Sequence, residues 1–330
     1  MSGPRIALIG ARRSRQGLGP YVARNLREAG AELAGVLGTS ADSAAEAARA
    51  LGAAGCPPLR GYTDLRRLVE REAPDALAIL SPHATHEAYL RLALEAKLHV
   101  LCEKPFIHGV DGLGARAAQL VDGFARAQLL LHENCQWPEV LPSYYALFPE
   151  REQRAPRSFS MQLSPVAENP GGMLADSLSH PLSLVQALCP DPAARIADPR
   201  FEWAPRERGV DRREPPRLRI AFGYVASSAT LQVGVELRPC LSVPRPAALA
   251  LDGDWAQREV REPDYQIHLT ASARSVKVPD PLAVLVGRFV AELRAVLSGR
   301  RPAASREVAH RMCLFESVER ALRESGLGAA

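Results

Sequence analysis

Short apolar runs alternate with amphipathic segments along residues 1–134 of the chain. Glycine, proline and polar residues bound the apolar runs, which is typical of buried strands, whereas the segments between them have the spacing of helices. Strands that alternate with helices form right-handed βαβ units and a parallel sheet. The predicted strands are 5–9, 31–37, 75–80, 98–102 and 128–132, and the predicted helices are 20–29, 42–51, 64–72, 83–96 and 111–126.

The pattern changes after residue 134. From about residue 157 to residue 278, extended segments follow one another without long helices between them, which predicts a predominantly antiparallel open sheet. We therefore expect an α/β chain with a dinucleotide-binding domain at 1–134 and an α+β domain at 135–330. In the second domain the clearest strands are 217–225, 228–237, 247–251, 265–270 and 274–278, and the closing helices are 281–297 and 305–324.

Composition excludes several classes of partner. With 330 residues, of which 47% are hydrophobic, the chain is long enough for two domains with a large core. The net charge of +4 is small and the arginines are scattered, which argues against nucleic-acid binding. No apolar run approaches the roughly 20 residues that a membrane helix needs. The six cysteines are widely spaced without a Cys-x-x-Cys pair, so we expect reduced thiols in a cytoplasmic protein.

A glycine-rich loop follows the first predicted strand. Glycines in this place let the backbone approach a pyrophosphate, and the N-terminus of the following helix favours its negative charge. The spacing differs from G-x-G-x-x-G, because the loop is longer and carries three arginines. We expect a phosphate-binding loop, with an ordinary surface turn as the alternative. The candidate cofactor-binding residues in it are Gly10, Ala11, Arg12, Arg13, Gly17 and Gly19.

The end of the second predicted strand bears on the choice of cofactor. NAD sites usually place an Asp or Glu there, where it holds the ribose hydroxyls. Here the strand ends at Leu37 and is followed by Thr39 and Ser40, and the first carboxylate, Asp42, comes later. Small hydroxyl side chains beside arginines suit a 2′-phosphate, so the sequence favours NADP(H) over NAD(H). The alternative is that Thr39 and Ser40 only cap the next helix.

The tripeptide Glu103-Lys104-Pro105 directly follows the predicted strand at 98–102. Pro105 cannot prolong a central ladder, so the strand should end there, and Lys104 should lie at the carboxyl edge of the sheet, where open α/β sheets bind ligands. An ammonium in this position can orient a substrate hydroxyl or help to move its proton. Without other evidence, an exposed Lys-Pro turn is the alternative.

A second candidate constellation lies in the segment that begins at Gly171-Gly172. Asp176 and His180 are four residues apart, so on one continuous helix they share a face. A carboxylate there can fix the tautomer of the histidine and strengthen it as a base. Pro181 complicates this arrangement, because a helix that continues through it loses a hydrogen bond to Ser177. Either the helix kinks, or it begins anew with Pro181 in its first turn, and the two side chains then need not share a face.

Taken together, these motifs resemble those of the Gfo/Idh/MocA oxidoreductases, the relatives of glucose–fructose oxidoreductase and inositol dehydrogenase. The resemblance rests on the opening strand and glycine turn, on Glu103-Lys104-Pro105, and on the pattern Gly-Gly-x-x-x-Asp-x-x-x-His that ends at His180. Ser81-Pro82-His83-Ala84-Thr85-His86 also resembles the Thr-Pro-x-x-x-His loop of the family. The similarity extends in order and spacing over most of the chain.

The resemblance implies a Rossmann domain followed by a domain whose open sheet often forms oligomer contacts, hence a homodimer or homotetramer. It implies that Lys104 lies near the nicotinamide, that His180 is the general acid/base, and that Asp176 orients the substrate or the histidine. Typical substrates are sugars, cyclitols and related alcohols. The cofactor-binding residues that it adds are Ser81, Pro82, His83 and His86 on the nicotinamide-ribose side, together with Glu103 and Lys104.

Weaker candidates come from single residues. Gln136 and Trp137 follow the last strand of the first domain and are predicted substrate-binding residues, with packing between domains as the alternative. His83 and His86 are three apart, but no third ligand is evident, so we expect no metal site.

The resulting hypothesis is an NAD(P)-dependent oxidoreductase that moves a hydride between nicotinamide and a carbinol or carbonyl carbon. The alternatives are redox-assisted elimination or glycoside cleavage on the same fold, and a non-catalytic dinucleotide-binding sensor. Intact Lys104, Asp176 and His180 favour the enzyme, because a sensor has no need of groups that transfer protons.

Overall fold

The computed structural model describes residues 3–11, 18–204, 216–262 and 265–327. The chain forms two compact units. The N-terminal unit comprises Met1–Asn134 and Leu282–Ala309, and the C-terminal unit comprises Cys135–Pro281 and His310–Ala330. In the described part of the chain, no helix combines the length and the apolar character needed to cross a membrane.

A parallel sheet forms the centre of the N-terminal unit. Its strands are β1 Arg5–Ile9, β2 Glu32–Leu37, β3 Gly61–Tyr62, β4 Ala76–Ile79, β5 His99–Cys102 and β6 Leu131–Glu133. The connecting helices are α1 Gly19–Glu28, α2 Ala41–Ala53, α3 Leu65–Glu72, α4 His86–Glu95 and α5 Leu113–Arg126. The strand order is β3-β2-β1-β4-β5-β6 and every neighbouring pair is parallel, which confirms the predicted parallel sheet. The order reverses at β1 and β4, and ligands of open α/β sheets bind at such a reversal.

A larger, mixed sheet forms the C-terminal unit. Its strands are β7 Ser158–Leu163, β8 Arg195–Ala204, β9 Arg217–Val225, β10 Thr230–Leu237, β11 Ala247–Leu251, β12 Asp254–Arg261, β13 Gln266–Ala271 and β14 Arg274–Lys277. The helices are α6 Leu141–Leu147, α7 Pro149–Glu152, α8 Pro170–Ser177 and α9 Ser179–Leu188. The strand order is β14-β13-β12-β11-β7-β10-β9-β8, and only β7 and β10 pair in parallel. The prediction of a predominantly antiparallel sheet is confirmed.

Helix α10, Pro281–Leu297, packs in the N-terminal unit although the sequence analysis assigned all of 135–330 to the second domain. Its side chains Leu285, Phe289 and Leu293 are buried in one apolar cluster with residues of β1, α1 and β2. A hydrogen bond also ties α10 to this unit, since the guanidinium of Arg294 donates to the Gly30 carbonyl at 2.8 Å. The apolar positions of α10 recur every three or four residues, which predicts a helix. This spacing does not indicate which sheet the helix covers. Helix α11, Arg306–Glu324, ends the described chain.

Candidate functional site

Close packing requires glycine at both ends of the predicted phosphate loop. Gly10 follows β1 with φ of +75°, and a side-chain Cβ at this position would lie 2.5 Å from Ser81 Cα. At the start of α1, a Cβ on Gly19 would lie 2.2 Å from the Ala11 carbonyl oxygen. Both ends of the predicted loop are therefore closely packed, Gly10 against the residues after β4 and Gly19 against those after β1, where the strand order reverses. The other predicted loop residues, Arg12, Arg13 and Gly17, lie outside the described residues.

The hydroxyl residues after β2 lie at the N-terminus of α2. Ser40 is the N-cap, since its Oγ accepts a hydrogen bond from the Ser43 backbone N–H at 3.1 Å, and Ser43 Oγ accepts one from the Ser40 N–H at 2.9 Å. Thr39 is exposed, with its Oγ1 at 3.5 Å from Ser43 Oγ. Ser40 thus has the capping role that the sequence analysis considered as an alternative. The cap leaves both hydroxyls at the surface, beside the carboxyl end of β2.

His86 joins the turns that follow β4 and β5. It is 1% exposed, with Nε2 at 2.8 Å from the Ser81 carbonyl oxygen and Nδ1 at 3.0 Å from the Pro105 carbonyl oxygen. Burial lowers the pKa of His86, while its hydrogen bonds to the backbone at Ser81 and Pro105 oppose the shift. His86 therefore fixes the backbone of Ser81, a predicted nicotinamide-side residue, relative to that of Pro105.

His83 lies in a short 3-10 helix, His83–Thr85, between β4 and α4. Thr85 Oγ1 donates to Ser81 Oγ at 2.7 Å, which stabilises the turn. The His83 ring contacts the ring of His108 edge to face, with centroids 4.8 Å apart. No sequence signal marks His108, because its neighbour is 25 residues away and the contact depends on the packing of two turns.

Glu103 and Lys104 follow β5, with Glu103 anchored and Lys104 half-buried. The carboxylate of Glu103 accepts a hydrogen bond from the amide of Asn134, and Asn134 in turn donates its backbone N–H to the Cys102 carbonyl at 2.7 Å. Burial raises the pKa of Glu103, while the Asn134 hydrogen bond and the charge of Lys104 oppose the shift. Glu133, on β6, accepts from the Phe106 N–H at 2.9 Å and so fixes the chain just beyond Pro105. The Lys104 backbone is held on both sides.

Asp176 and His180 lie on two consecutive helices. Helix α8 ends at Ser177 and α9 begins at Ser179, with Pro181 in its first turn, as one of the two predicted arrangements has it. The backbone of Leu178 between them has helical dihedral angles, with φ of −63° and ψ of −30°, and the break between the two helices lies where Pro181 has no N–H to donate to Ser177. Asp176 Oδ2 accepts a hydrogen bond from the Val166 N–H at 3.2 Å.

Several side chains of the C-terminal unit contact His180 or the residue before it. Trp137, 6% exposed, meets the His180 ring edge to face with centroids 6.3 Å apart. Ser183 Oγ donates to the His180 carbonyl at 2.7 Å, and Cys135 Sγ lies 3.7 Å from the Ser179 carbonyl oxygen. Gln136, the other predicted substrate residue, is half-buried beside Trp137. The structure therefore brings the predicted residues His180 and Trp137 together, and Gln136 adjoins Trp137 in the chain.

Arginines that the sequence analysis did not single out extend this cluster. The guanidinium carbon of Arg258, on β12, lies 5.9 Å from the centre of the Trp137 ring, and Arg258 Nη2 donates to the Arg245 carbonyl at 2.6 Å. Burial lowers the pKa of Arg258, and the charge of Arg245 acts in the same direction. Successive side chains of a strand point to opposite faces, so Arg258 lies on the same face of β12 as the buried Ala256. This alternation is the sequence signal that could have identified Arg258. Among the residues that the structure describes, no three His, Cys, Asp or Glu side chains are grouped to hold a metal ion.

Comparison with known proteins gives one family and several similar folds. Residues 4–133 match the model of an oxidoreductase family with an NAD-binding Rossmann fold. No curated protein matches the chain.

Three solved structures are similar over nearly their whole length. UDP-N-acetylglucosamine 3-dehydrogenase GnnA from Acidithiobacillus ferrooxidans is 23% identical, with a TM-score of 0.66 over 100% of this chain and 99% of that chain. KijD10, a 3-ketoreductase from Actinomadura kijaniata in complex with NADP, is 20% identical, with a TM-score of 0.67 over 96% and 97%. An oxidoreductase from Agrobacterium radiobacter in complex with NAD+, L-tartaric acid and magnesium is 15% identical, with a TM-score of 0.66 over 98% and 97%. At these identities the likeness shows the fold.

Proposed function

We propose that the chain belongs to the Gfo/Idh/MocA oxidoreductase family, whose model of an NAD-binding Rossmann fold matches residues 4–133, and that it catalyses a reaction of the type this family performs. The reaction is hydride transfer between a nicotinamide dinucleotide and a carbinol or carbonyl carbon of a sugar, cyclitol or related small molecule. The observation that carries the proposal is the place of Lys104, half-buried and two residues beyond β5, at the carboxyl edge of the family's parallel sheet.

The N-terminal unit has the features that a dinucleotide diphosphate requires. Gly10 and Gly19 leave no room for a side chain at either end of the loop, and the first turn of α1 carries no acidic residue. Both features suit an anion at a helix N-terminus. When bound, the nicotinamide accepts or supplies the hydride. The residues proposed to hold the dinucleotide are Gly10, Ala11, Arg12, Arg13, Gly17, Gly19, Thr39, Ser40, Ser81, Pro82, His83, His86, Glu103 and Lys104.

The proton is proposed to be handled by side chains of the protein. Lys104 donates a hydrogen bond to the reacting oxygen, and His180 takes the hydroxyl proton in oxidation and returns it in reduction. Asp176, held by the Val166 N–H, orients the substrate or His180. The printed names of GnnA and KijD10, a 3-dehydrogenase and a 3-ketoreductase, support this reaction class, since both interconvert a hydroxyl and a ketone.

Turnover with a panel of alcohols tests the proposal. Purified protein is expected to reduce a nicotinamide dinucleotide with one class among sugars, cyclitols and nucleotide sugars, followed by the absorbance of the reduced ring. Tight binding of the dinucleotide without turnover across this panel and the matching ketones would contradict the reaction and favour a sensor.

We expect a preference for NADPH over NADH. The described end of β2 offers the exposed hydroxyls of Thr39 and Ser40 and no carboxylate, and Arg12 and Arg13 add positive charge to the sequence that follows β1. The double variant Arg12→Ala/Arg13→Ala should weaken NADPH about tenfold or more and NADH much less, because only NADPH has the 2′-phosphate. Quenching of protein fluorescence measures both dissociation constants. Arg126→Ala, an exposed arginine on α5, is the control, and tighter binding of NADH by the unmodified protein would refute the preference.

A homodimer or homotetramer built on the open face of the C-terminal sheet is also proposed. Strand β10 alternates exposed and buried residues, and its exposed face continues to the half-exposed Trp255 across a depression of ≈ 400 Å³. We expect light scattering at micromolar concentration to show at least a dimer, and Trp255→Glu to shift it to the monomer. Val284→Glu, an equally exposed site on α10, should leave the mass unchanged. A monomeric unmodified protein would rule out this assembly.

The cysteines support a proposed location in the reducing cytoplasm. All six are free thiols. Disulfides are rare in that compartment because its redox buffers keep thiols reduced.

A further inference from the structure

We propose that Arg258, with Arg245 beside it, binds an oxyanion carried by the substrate, either a phosphoryl group or a carboxylate. The inference rests on the proposed function, because it specifies the class of molecule on which His180 acts. It narrows the substrates from neutral sugars and cyclitols to sugars that bear a negative charge.

Arg258 is half-buried on β12, and its guanidinium has no anionic partner among the described residues. Its Nε is inaccessible to solvent and has no hydrogen-bond partner among the described residues. Its Nη2 is satisfied by the Arg245 carbonyl at 2.6 Å, and no carboxylate in the described ranges forms an ion pair with it. A guanidinium has five N–H donors in a fixed plane, which match the oxygens of a carboxylate or phosphate two at a time. Burying an unpaired cation costs free energy, so an anion that forms an ion pair with the Arg258 guanidinium would bind favourably.

A second positive charge reinforces the first. Arg245 precedes β11 and faces Arg258 closely enough that its charge lowers the pKa of Arg258, in addition to the effect of burial. Tyr265 is the group that acts in the opposite direction. Two neighbouring cations in a partly desolvated place repel each other, and an oxyanion between or beside them removes that repulsion. A neutral sugar would not remove the repulsion between the two arginines.

The cluster lies within reach of the proposed acid/base. Trp137 contacts both groups, because its ring lies 6.3 Å from the centroid of the His180 ring and 5.9 Å from the guanidinium carbon of Arg258. The guanidinium is therefore no farther from the imidazole than the sum of these two distances. A sugar ring that carries a phosphoryl or carboxylate group can span this interval, with its reacting carbon at one end and its charge at the other.

Two more buried polar atoms mark the same region. Gln136 Oε1 and Ser179 Oγ have no hydrogen-bond partner among the described residues, and they are chain neighbours of Trp137 and His180. Ser179 is 0% exposed. Buried polar groups are nearly always paired in folded proteins, and a hydroxyl-rich ligand is one source of the missing bonds.

Calorimetric titration of the full chain tests the inference without any turnover. The probes are glucose 1-phosphate and uridine diphosphate for the phosphoryl group, glucuronate for the carboxylate, and N-acetylglucosamine as the neutral reference. Protein saturated with NADP+ is used, so that its phosphate loop is already occupied. At least one charged probe should bind ten times or more tighter than the neutral sugar, and the probe that does so distinguishes a phosphoryl from a carboxylate substrate.

Variants locate the binding. Arg258→Gln should lose at least tenfold in affinity for the charged probe, and Arg258→Lys, which keeps the charge without the planar donors, should lose less. Arg261→Gln is the matched control, since Arg261 lies on the same strand and pairs with Glu259 at 3.3 Å. Thermal melting establishes that each variant is folded. Equal affinity of Arg258→Gln and the unmodified protein, or no binding of any charged probe, would overturn the inference. Failure to bind both NADP+ and NAD+ would contradict the proposed function instead, and the titrations on cofactor-free protein would still decide the role of Arg258.

Discussion

Replacing His180 by asparagine is expected to lower turnover by about a hundredfold or more, the usual contribution of a positioned general acid or base. Asparagine keeps a polar side chain of similar size but cannot exchange a proton. Affinity for the dinucleotide should change little, because His180 belongs to the C-terminal unit and the proposed dinucleotide residues belong to the N-terminal unit. Steady-state rates with the substrate found by screening, together with fluorescence titration of the cofactor, measure both quantities.

The pH profile separates proton transfer from a structural defect. In alcohol oxidation the rate should rise with pH as His180 loses its proton, and this inflection should be absent from His180→Asn. Ser183→Ala is the matched control, because Ser183 Oγ donates to the His180 carbonyl on the same helix without taking part in proton transfer. If His180→Asn keeps the turnover of the unmodified protein, His180 has no part in the mechanism.

Replacing Lys104 by methionine is expected to lower turnover by about tenfold to a hundredfold, with a smaller loss of cofactor affinity. Methionine keeps much of the length and apolar stem of lysine but removes the ammonium that orients the reacting oxygen. Lys104→Arg should retain part of the activity, because it keeps the charge but not the compact geometry of the donor.

The kinetic pattern of Lys104→Met distinguishes its role from simple destabilisation. A group that acts mainly at the transition state lowers kcat, whereas one that only binds substrate raises KM. Lys277→Met, at an exposed lysine on β14, is the control for loss of charge. Unchanged kcat with an unchanged melting temperature would show that Lys104 is an ordinary surface lysine.

The strands that bury both faces are the part of the fold that the sequence predicts best. Residues 6–9 are almost completely buried, as expected for the centre of a parallel sheet, and their unbroken apolar run is easy to recognise. Strand β3 has two residues and leaves no such run. The sequence does not predict strand β12, because polar or charged residues occupy both of its faces, and its assignment depends on pairing with β11 and β13.

Residues at strand ends could be located from sequence, and residues that meet through packing could not. The place of Lys104 follows from the end of β5 and the proline after it. Asn134 meets Glu103 across 31 residues, and Arg258 meets Trp137 across more than a hundred, so no local pattern contains these contacts. Pro181 is an intermediate case, because its missing N–H predicted a break but not whether the helix would kink or restart.

The contribution of α10 to the N-terminal unit has a consequence for biosynthesis. The ribosome completes Met1–Asn134 long before it makes Leu285, Phe289 and Leu293, which close the apolar cluster over β1 and β2. Until then the nascent unit exposes the face that α10 will cover. A fragment that stops at Asn134 would leave this apolar face uncovered, and we expect it to be less stable than a version in which α10 is supplied.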